Sequence, residues 1–196
     1  EADPWRIRSR ADFNYFAADP NYWDDHTRLE TDVNLAGITY TRAVIAPVQH
    51  WGVDIVSGIP FTGIFDGNDH AITNMAIEAD IHRDNVGLFG NVKHPARIEN
   101  LGVVDCNINS NSSYVGALCG DNSRIEDYGP GGSISNCYVS GSVKSRYCVG
   151  GICGKNFGII SNCTSTAEVT STHNRTGGLC GINSVNGVIR NSYATG

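Results

Sequence analysis

Cysteine is missing from the first 105 residues of this chain, methionine occurs once, and charged residues make up only 17%. No stretch approaches the roughly 20 consecutive apolar residues of a membrane-spanning helix, so no membrane insertion is expected. No concentrated basic stripe is present either, which argues against a nucleic-acid partner. Residues 1–84 hold 14 acids and 6 bases, a net −8, and residues 85–196 hold 6 acids and 8 bases, a net +2, which sum to the −6 of the whole. Past residue 85 apolar residues do not recur at helical spacing and helix caps are absent. There is no Gly-x-Ser-x-Gly elbow and no His-Glu-x-x-His pair, the short signatures of two hydrolase classes. No cofactor is expected.

What the chain has instead is glycine, 23 of 196 residues, and one pattern written four times. Each copy opens on a glycine-framed apolar step: 86–90, 115–120, 149–154 and 176–181. Each continues with Ile-x-Asn at Ile98-Glu99-Asn100, Ile134-Ser135-Asn136, Ile160-Ser161-Asn162 and Ile189-Arg190-Asn191. From each Asn to the next closing Gly the interval is nearly constant, at 120−100 = 20, 154−136 = 18 and 181−162 = 19. From closing Gly to Ile it varies, at 98−90 = 8, 134−120 = 14, 160−154 = 6 and 189−181 = 8. One arc of the repeat is rigid and the other accepts an insertion, which places residues 124–131 in a surface loop.

Repeats of this length mark stacked supersecondary units. Segments 133–139 and 158–163 are rich in β-formers and bounded by Gly, Ser and Asn, so the units read as strands. A single unit cannot bury its apolar face, whereas stacked units can. The expected fold is all-β, a right-handed parallel β-helix, with residues 1–60 as an N-terminal cap and irregular lead-in and 61–196 as the β-helix. Stacking at about 4.8 Å turns equivalent residues into ladders. Ile98, Ile134, Ile160 and Ile189 are expected to fill the interior. Asn100, Asn136, Asn162 and Asn191 are expected to form an amide ladder at a buried turn.

The segments Val149-Gly-Gly-Ile-Cys-Gly-Lys-Asn-Phe-Gly-Ile-Ile-Ser-Asn-Cys163 and Gly177-Gly-Leu-Cys-Gly-Ile-Asn183, with Ile189-Arg-Asn-Ser-Tyr-Ala-Thr-Gly196, resemble the GLUG repeat. Residues 61–75 and 29–35 resemble the segments that precede such repeats. The resemblance implies a large secreted or surface protein with an extracellular β-helical scaffold and no catalytic signature. This chain departs from the usual Val or Ile by carrying Cys119, Cys153 and Cys180 at one repeat position.

Those three thiols form one expected column, and Cys137 with Cys163 a second. Stacked neighbours lie within the Cα range of a disulfide, about 4.4–6.8 Å, and the competing reading is a column of free buried thiols acting as small apolar filler. Cys148 has no cysteine at the matching positions 85, 114 and 175, so it is the candidate for an intermolecular thiol. A zinc site is not expected, because no clustered Cys-x-x-Cys is present.

Upstream, Ser9 caps an expected helix over 11–18 that ends before Pro20, with Phe13, Phe16 and Ala17 on one face. Trp5, Tyr15, Tyr22 and Trp23 read either as an aromatic platform for sugar or as the closure of the solenoid end. Residues 28–35 alternate as a strand, and 61–77 hold two more. Asp66-Gly67-Asn68-Asp69 lacks the distal Glu of a calcium loop and reads as an Asx turn.

Together these readings predict a non-enzymatic scaffold, secreted or on the cell surface, that is adhesive or assembles head to tail into a filament. Its partners are further copies of itself or further repeats of a longer chain, with surface glycans as a further class. A solenoid coil left uncovered is a template for pairing, and the unlike charges of the two halves favour a head-to-tail contact. The competing class is a carbohydrate-active β-helix, a lyase, hydrolase or glycan-binding module, using Glu126 and Asp127 in the inserted loop with Trp51.

Overall fold

The computed structural model describes residues 3–51, 54–56, 58–80, 84–122 and 130–196, the strands at 49–51 and 54–56 by their backbone alone. The chain winds through stacked parallel sheets. The first sheet has seven strands in the order Trp5–Ile7, His26–Leu29, Ile64–Asp66, Arg97–Glu99, Ser133–Ser135, Ile159–Ser161 and Val188–Arg190. A second, of nine strands, includes Val33–Asn34, Ala71–Thr73, Gly102–Ser110, Tyr138–Ser145 and Thr164–Ser165. A third joins Ser113–Gly116, Tyr147–Gly150 and Thr176–Gly177. A fourth joins Phe89–Val92, Cys119–Asn122, Cys153–Asn156 and Cys180–Asn183. Each full coil visits these sheets in turn, and every pairing between coils is parallel.

Residues 1–60 are not set apart from this stack. His26–Leu29 pairs with Ile64–Asp66, Val33–Asn34 with Ala71–Thr73, and Thr39–Tyr40 with Ala76–Ala79. Ile45 bridges to Phe89 in the column that Cys119 and Cys153 continue. Residues 26–48 thus form a coil of their own, so the expected break at 60 does not coincide with a break in the sheets. The strand expected over 28–35 is two strands, because the chain turns a corner between the first and second sheets at 30–32. The segment 61–79 holds three strands rather than two.

The helix Arg10–Ala18 starts one residue earlier than expected, and Ser9 Oγ accepts from Asp12 N at 3.1 Å. Phe13 and Phe16 are fully buried, and Phe16 meets Phe65 of the first sheet at 5.6 Å between ring centres. Asp66 Oδ1 accepts from Asn68 N at 2.9 Å, which makes the Asx turn.

Interior columns run along the stack. Ile98, Ile134 and Ile160 are fully buried and in register, while Ile189 in the last coil is half-buried. A facing column runs Ile72, Val103, Val139, Ser165, Ala194. Its last members are the smallest, and they face glycine: a Cβ on Gly151 would collide with Ser165 Oγ, and one on Gly178 would meet Ala194 Cβ at 2.5 Å. The aromatic core built from Phe13, Phe16, Phe61, Phe65 and Phe89 lies entirely in the first half of the chain.

The glycine closing each repeat motif has a separate reason. A Cβ on Gly154 would lie within contact distance of Tyr114 C and Val115 N, and Gly120 and Gly181 meet the backbone of Asn85 and Cys148 in the same way. Close backbone approach leaves no room for a side chain. Gly154→Ala is therefore expected to cost about 3 kcal/mol, the upper range for overpacking. A urea-unfolding midpoint equal to that of the parent would contradict the close approach.

Candidate functional site

No group of three or more metal-ligating side chains occurs among the described residues. What recurs in every coil is a set of polar columns. The surface column follows from backbone conformation. Asn100, Asn136, Asn162 and Asn191 have φ of 55°, 54°, 54° and 49°, the left-handed region that Asn tolerates better than most residues. Asn162 Nδ2 donates to Asn136 Oδ1 at 3.2 Å, Asn136 Nδ2 to Asn100 Oδ1 at 3.1 Å, and Asn100 Nδ2 to Asp66 Oδ1 at 3.0 Å. The turn is not buried as expected. Asn136, Asn162 and Asn191 are exposed and Asn100 half-buried, because the left-handed corner carries these side chains to the outside.

A second amide column lies inside. Asn122 Nδ2 donates to Asn156 Oδ1 and Asn156 Nδ2 to Asn183 Oδ1, both at 2.8 Å. Asn122 and Asn156 are fully buried. Each also clamps a glycine backbone across the variable arc. Gly132 N donates to Asn122 Oδ1 at 2.7 Å, Gly158 N to Asn156 Oδ1 at 3.2 Å, and Asn183 Nδ2 donates to Gly187 O at 2.9 Å. The clamp spans ten residues at the insertion and two in the following coil, so it pins the arc whatever its length. Sequence reasoning missed these residues. The signal was there as Cys-Gly-x-Asn at 119–122, 153–156 and 180–183.

The thiols occupy two columns. Cys119, Cys153 and Cys180 are in register, and Cys137 and Cys163 each donate to the carbonyl two residues back, Ser135 O and Ser161 O, at 3.2 Å. All seven cysteines carry free thiols. In-register parallel strands hold Cβ atoms about as far apart as Cα atoms, near 4.8 Å, beyond the roughly 3.8 Å of a disulfide. Burial pushes the Cys106 thiol up to about 12 and holds Cys137 and Cys153 well above the ordinary thiol value. Cys180 is raised first by its hydrogen bond to Cys153 and then by burial. Cys148 is not available to a second chain: it is 3% exposed, in a left-handed corner with φ 52°. The buried corner does not fit the intermolecular thiol expected at this position.

Beside Cys148's corner, Lys155 Nζ reaches Asp121 Oδ2 of the preceding coil at 3.7 Å and lies over the rings of Tyr114 and Phe157 at 5.1 and 4.8 Å. Trp51 ends a two-strand antiparallel ribbon, paired with Asp54. Glu126 and Asp127, the two acids expected to share a glycan site with Trp51, lie outside the described residues. Trp23 is buried with Nε1 donating to Phe16 O at 3.1 Å, which makes it a core residue.

Two outcomes are expected from the columns. Asn156→Ala strands the Gly158 N–H and both neighbouring amides, costing about 3 kcal/mol, whereas Asn162→Ala costs about 1–2 kcal/mol for placing Ala in a left-handed turn. Asn162→Gly should recover much of the second loss; equal melting temperatures for the two alanine variants would contradict the assignment. The thiols give a pH dependence. The folded values of Cys106, Cys137, Cys153 and Cys180 are raised, so their contribution to stability is fully present below about pH 8.5 and falls as the unfolded thiols ionise at higher pH, by about 1.4 kcal/mol per thiol for each unit. Unfolding midpoints between pH 8 and 11 should decline, less steeply in Cys106→Ala, and Cys153 should resist thiol reagents until the chain unfolds. A flat profile or rapid native labelling of Cys153 would refute it.

The chain is 27% identical to halomucin of Haloquadratum walsbyi over 149 residues, 62% of this chain and 2% of that protein, so it spans a small fraction of halomucin's length. A Bacteroides ovatus protein, solved as a candidate immunoglobulin A1 protease, is similar with a TM-score of 0.64 at 18% identity, over 98% of this chain and 67% of that one. At that identity the likeness is one of fold. The family model of the GLUG motif matches residues 145–170, a span that takes in Tyr147–Gly150, Cys153–Asn156 and Ile159–Ser161, one strand from each of three sheets. This chain carries the GLUG motif in that coil.

Proposed function

We propose that this chain is a non-catalytic structural module of a secreted or cell-surface protein, a stiff solenoid that grows by adding coils. The GLUG motif and the similarity to halomucin support an extracellular setting. The winding is right-handed, the hand that parallel crossover connections almost always take. The helix Arg10–Ala18 with its phenylalanines closes the N-terminal end of the core, as atypical end units do in repeat proteins.

The observation that carries the reading is the last coil. Leu179, Cys180 and Ile189 pack on the core yet stay half-buried, and Val188 and Tyr193 are 45% and 61% exposed. This coil presents strand edges and half-covered columns on which a second copy would dock head to tail. The charge difference between residues 1–84 and 85–196 steers that arrangement, with salt screening it. A head-to-tail contact that does not close makes a filament, and such a surface serves adhesion.

Two measurements test this. Light scattering of the 196-residue chain at micromolar concentration in low salt should show association that weakens as salt is added; a stable monomer refutes self-assembly. Incubation with a panel of polysaccharides should release no reducing or unsaturated ends; release that Glu126→Gln or Asp127→Asn abolishes overturns the structural reading in favour of a carbohydrate-active enzyme.

A further inference from the structure

We propose that the depression beside Trp5, at the N-terminal end of the solenoid, binds a neutral sugar unit of a polysaccharide. Its volume is about 500 Å³ and its walls include Trp5, Arg6, Arg8, Asp25 and His26. This is the size range of small-molecule sites, which pair an apolar wall with a few convergent polar groups.

The apolar wall is held in place from behind. Trp5 stacks on buried Phe16 at 5.9 Å and on Tyr22 at 5.6 Å, and Tyr22 lies 5.5 Å from Tyr15. Tyr22 Oη donates to Tyr15 Oη at 3.3 Å, and Tyr15 is 58% exposed. Three rings therefore continue outward from the core to the surface, where Phe13, Phe16 and Trp23 already supply the buried aromatic contacts. Rings with an apolar body and a polar tip suit a ligand that has both characters.

All but one of the polar side chains named in these walls are uncommitted. Arg6 is spent on Asp3 at 2.9 Å and Glu30 at 2.7 Å. The side chains of Arg8, Asp25 and His26 have no hydrogen-bond or ion-pair partner among the described residues. They offer donors and an acceptor around one concavity. A simple anion would meet Asp25, and a cation would meet Arg8. A sugar hydroxyl both donates and accepts, so it satisfies both, with its C–H face against the aromatic wall. A preorganised wall also lowers the cost of binding. The site is far in sequence from the insertion at 124–131, and binding here is compatible with a scaffold role, whereas a second copy docked on this end of the stack would compete with the sugar.

Native gels cast with soluble neutral β-glucan, xylan, mannan or galactan test it on the full chain. At least one of the four should slow the parent protein. Arg8→Ala and Asp25→Ala should each weaken the retardation roughly tenfold, about 1.4 kcal/mol, with unchanged melting temperature. Both side chains lack partners, so neither substitution should disturb folding. Retardation by none of the four overturns the proposal. So does retardation that survives Arg8→Ala and Asp25→Ala, which would place the site elsewhere. Retardation by anionic alginate alone overturns it in favour of an anion site. Release of sugar from any of these polymers would contradict the scaffold reading and leave the binding site standing, so the two failures are separable.

Discussion

The interaction on which everything else depends is the backbone hydrogen bond from one coil to the next, in parallel and in register. Leu118 N donates to Ile152 O at 3.2 Å, and Ile152 N donates to Leu179 O at 2.9 Å. This repetition brings each residue over its own equivalent, so selection acts on columns rather than on contacts. A column of buried amides is tolerable only because every Asn meets another Asn with the complementary group, as Asn122, Asn156 and Asn183 do. A column of thiols is tolerable because a thiol is small, weakly polar and satisfied by a nearby carbonyl. The two amide columns also have opposite sense. The surface column donates toward the N-terminal coils and ends on the Asp66 carboxylate, and the interior column donates toward the C-terminal coils. Stacking a coil upside down would set donors against donors in both.

The core narrows along the same axis. Five buried phenylalanines fill the first coils, whereas Ser165, Ala194, Gly151 and Gly178 meet one another in the last. Cysteine at 119, 153 and 180 fits this trend, since the same column holds Ile45 and Phe89 in earlier coils. The pair Asp121–Lys155 and the ring of Tyr114 show a buried carboxylate shared between two coils. Tyr114 is correspondingly raised by burial.

Much of this was legible in the sequence, for a physical reason: a stack repeats its demands, so Ile-x-Asn and the closing Gly recur at fixed intervals. What was illegible broke that rule. The coil over 26–48 uses Ile45 and Ala46 where later coils use the glycine-framed step, so repetition could not reveal it. The interior asparagines repeat, but Asn91 precedes Val92 in the first copy and shifts the pattern by one position, which hides the column. Whether an Asn corner faces in or out depends on the hand of its turn, which composition does not carry. Cys148 looked singular and therefore surface-bound, yet its neighbours at 85 and 114 are Asn and Tyr in the same packed corner. As for the candidate site, the aromatic residues near the N-terminus were visible as a group. Their division into core Trp23, half-buried Trp5 and Tyr22 and exposed Tyr15 follows from three-dimensional packing alone.

The narrowing core has a mechanical consequence. In a solenoid each coil is held only by its neighbours, so tension applied at the C-terminal end loads one interface at a time. The C-terminal coils lack the buried phenylalanines that fill the first ones. The last of them yields at the lowest force, and each later coil resists more. Under pull the molecule pays out chain in graded steps and keeps its N-terminal end folded longest, as a shock absorber with a rising stiffness would.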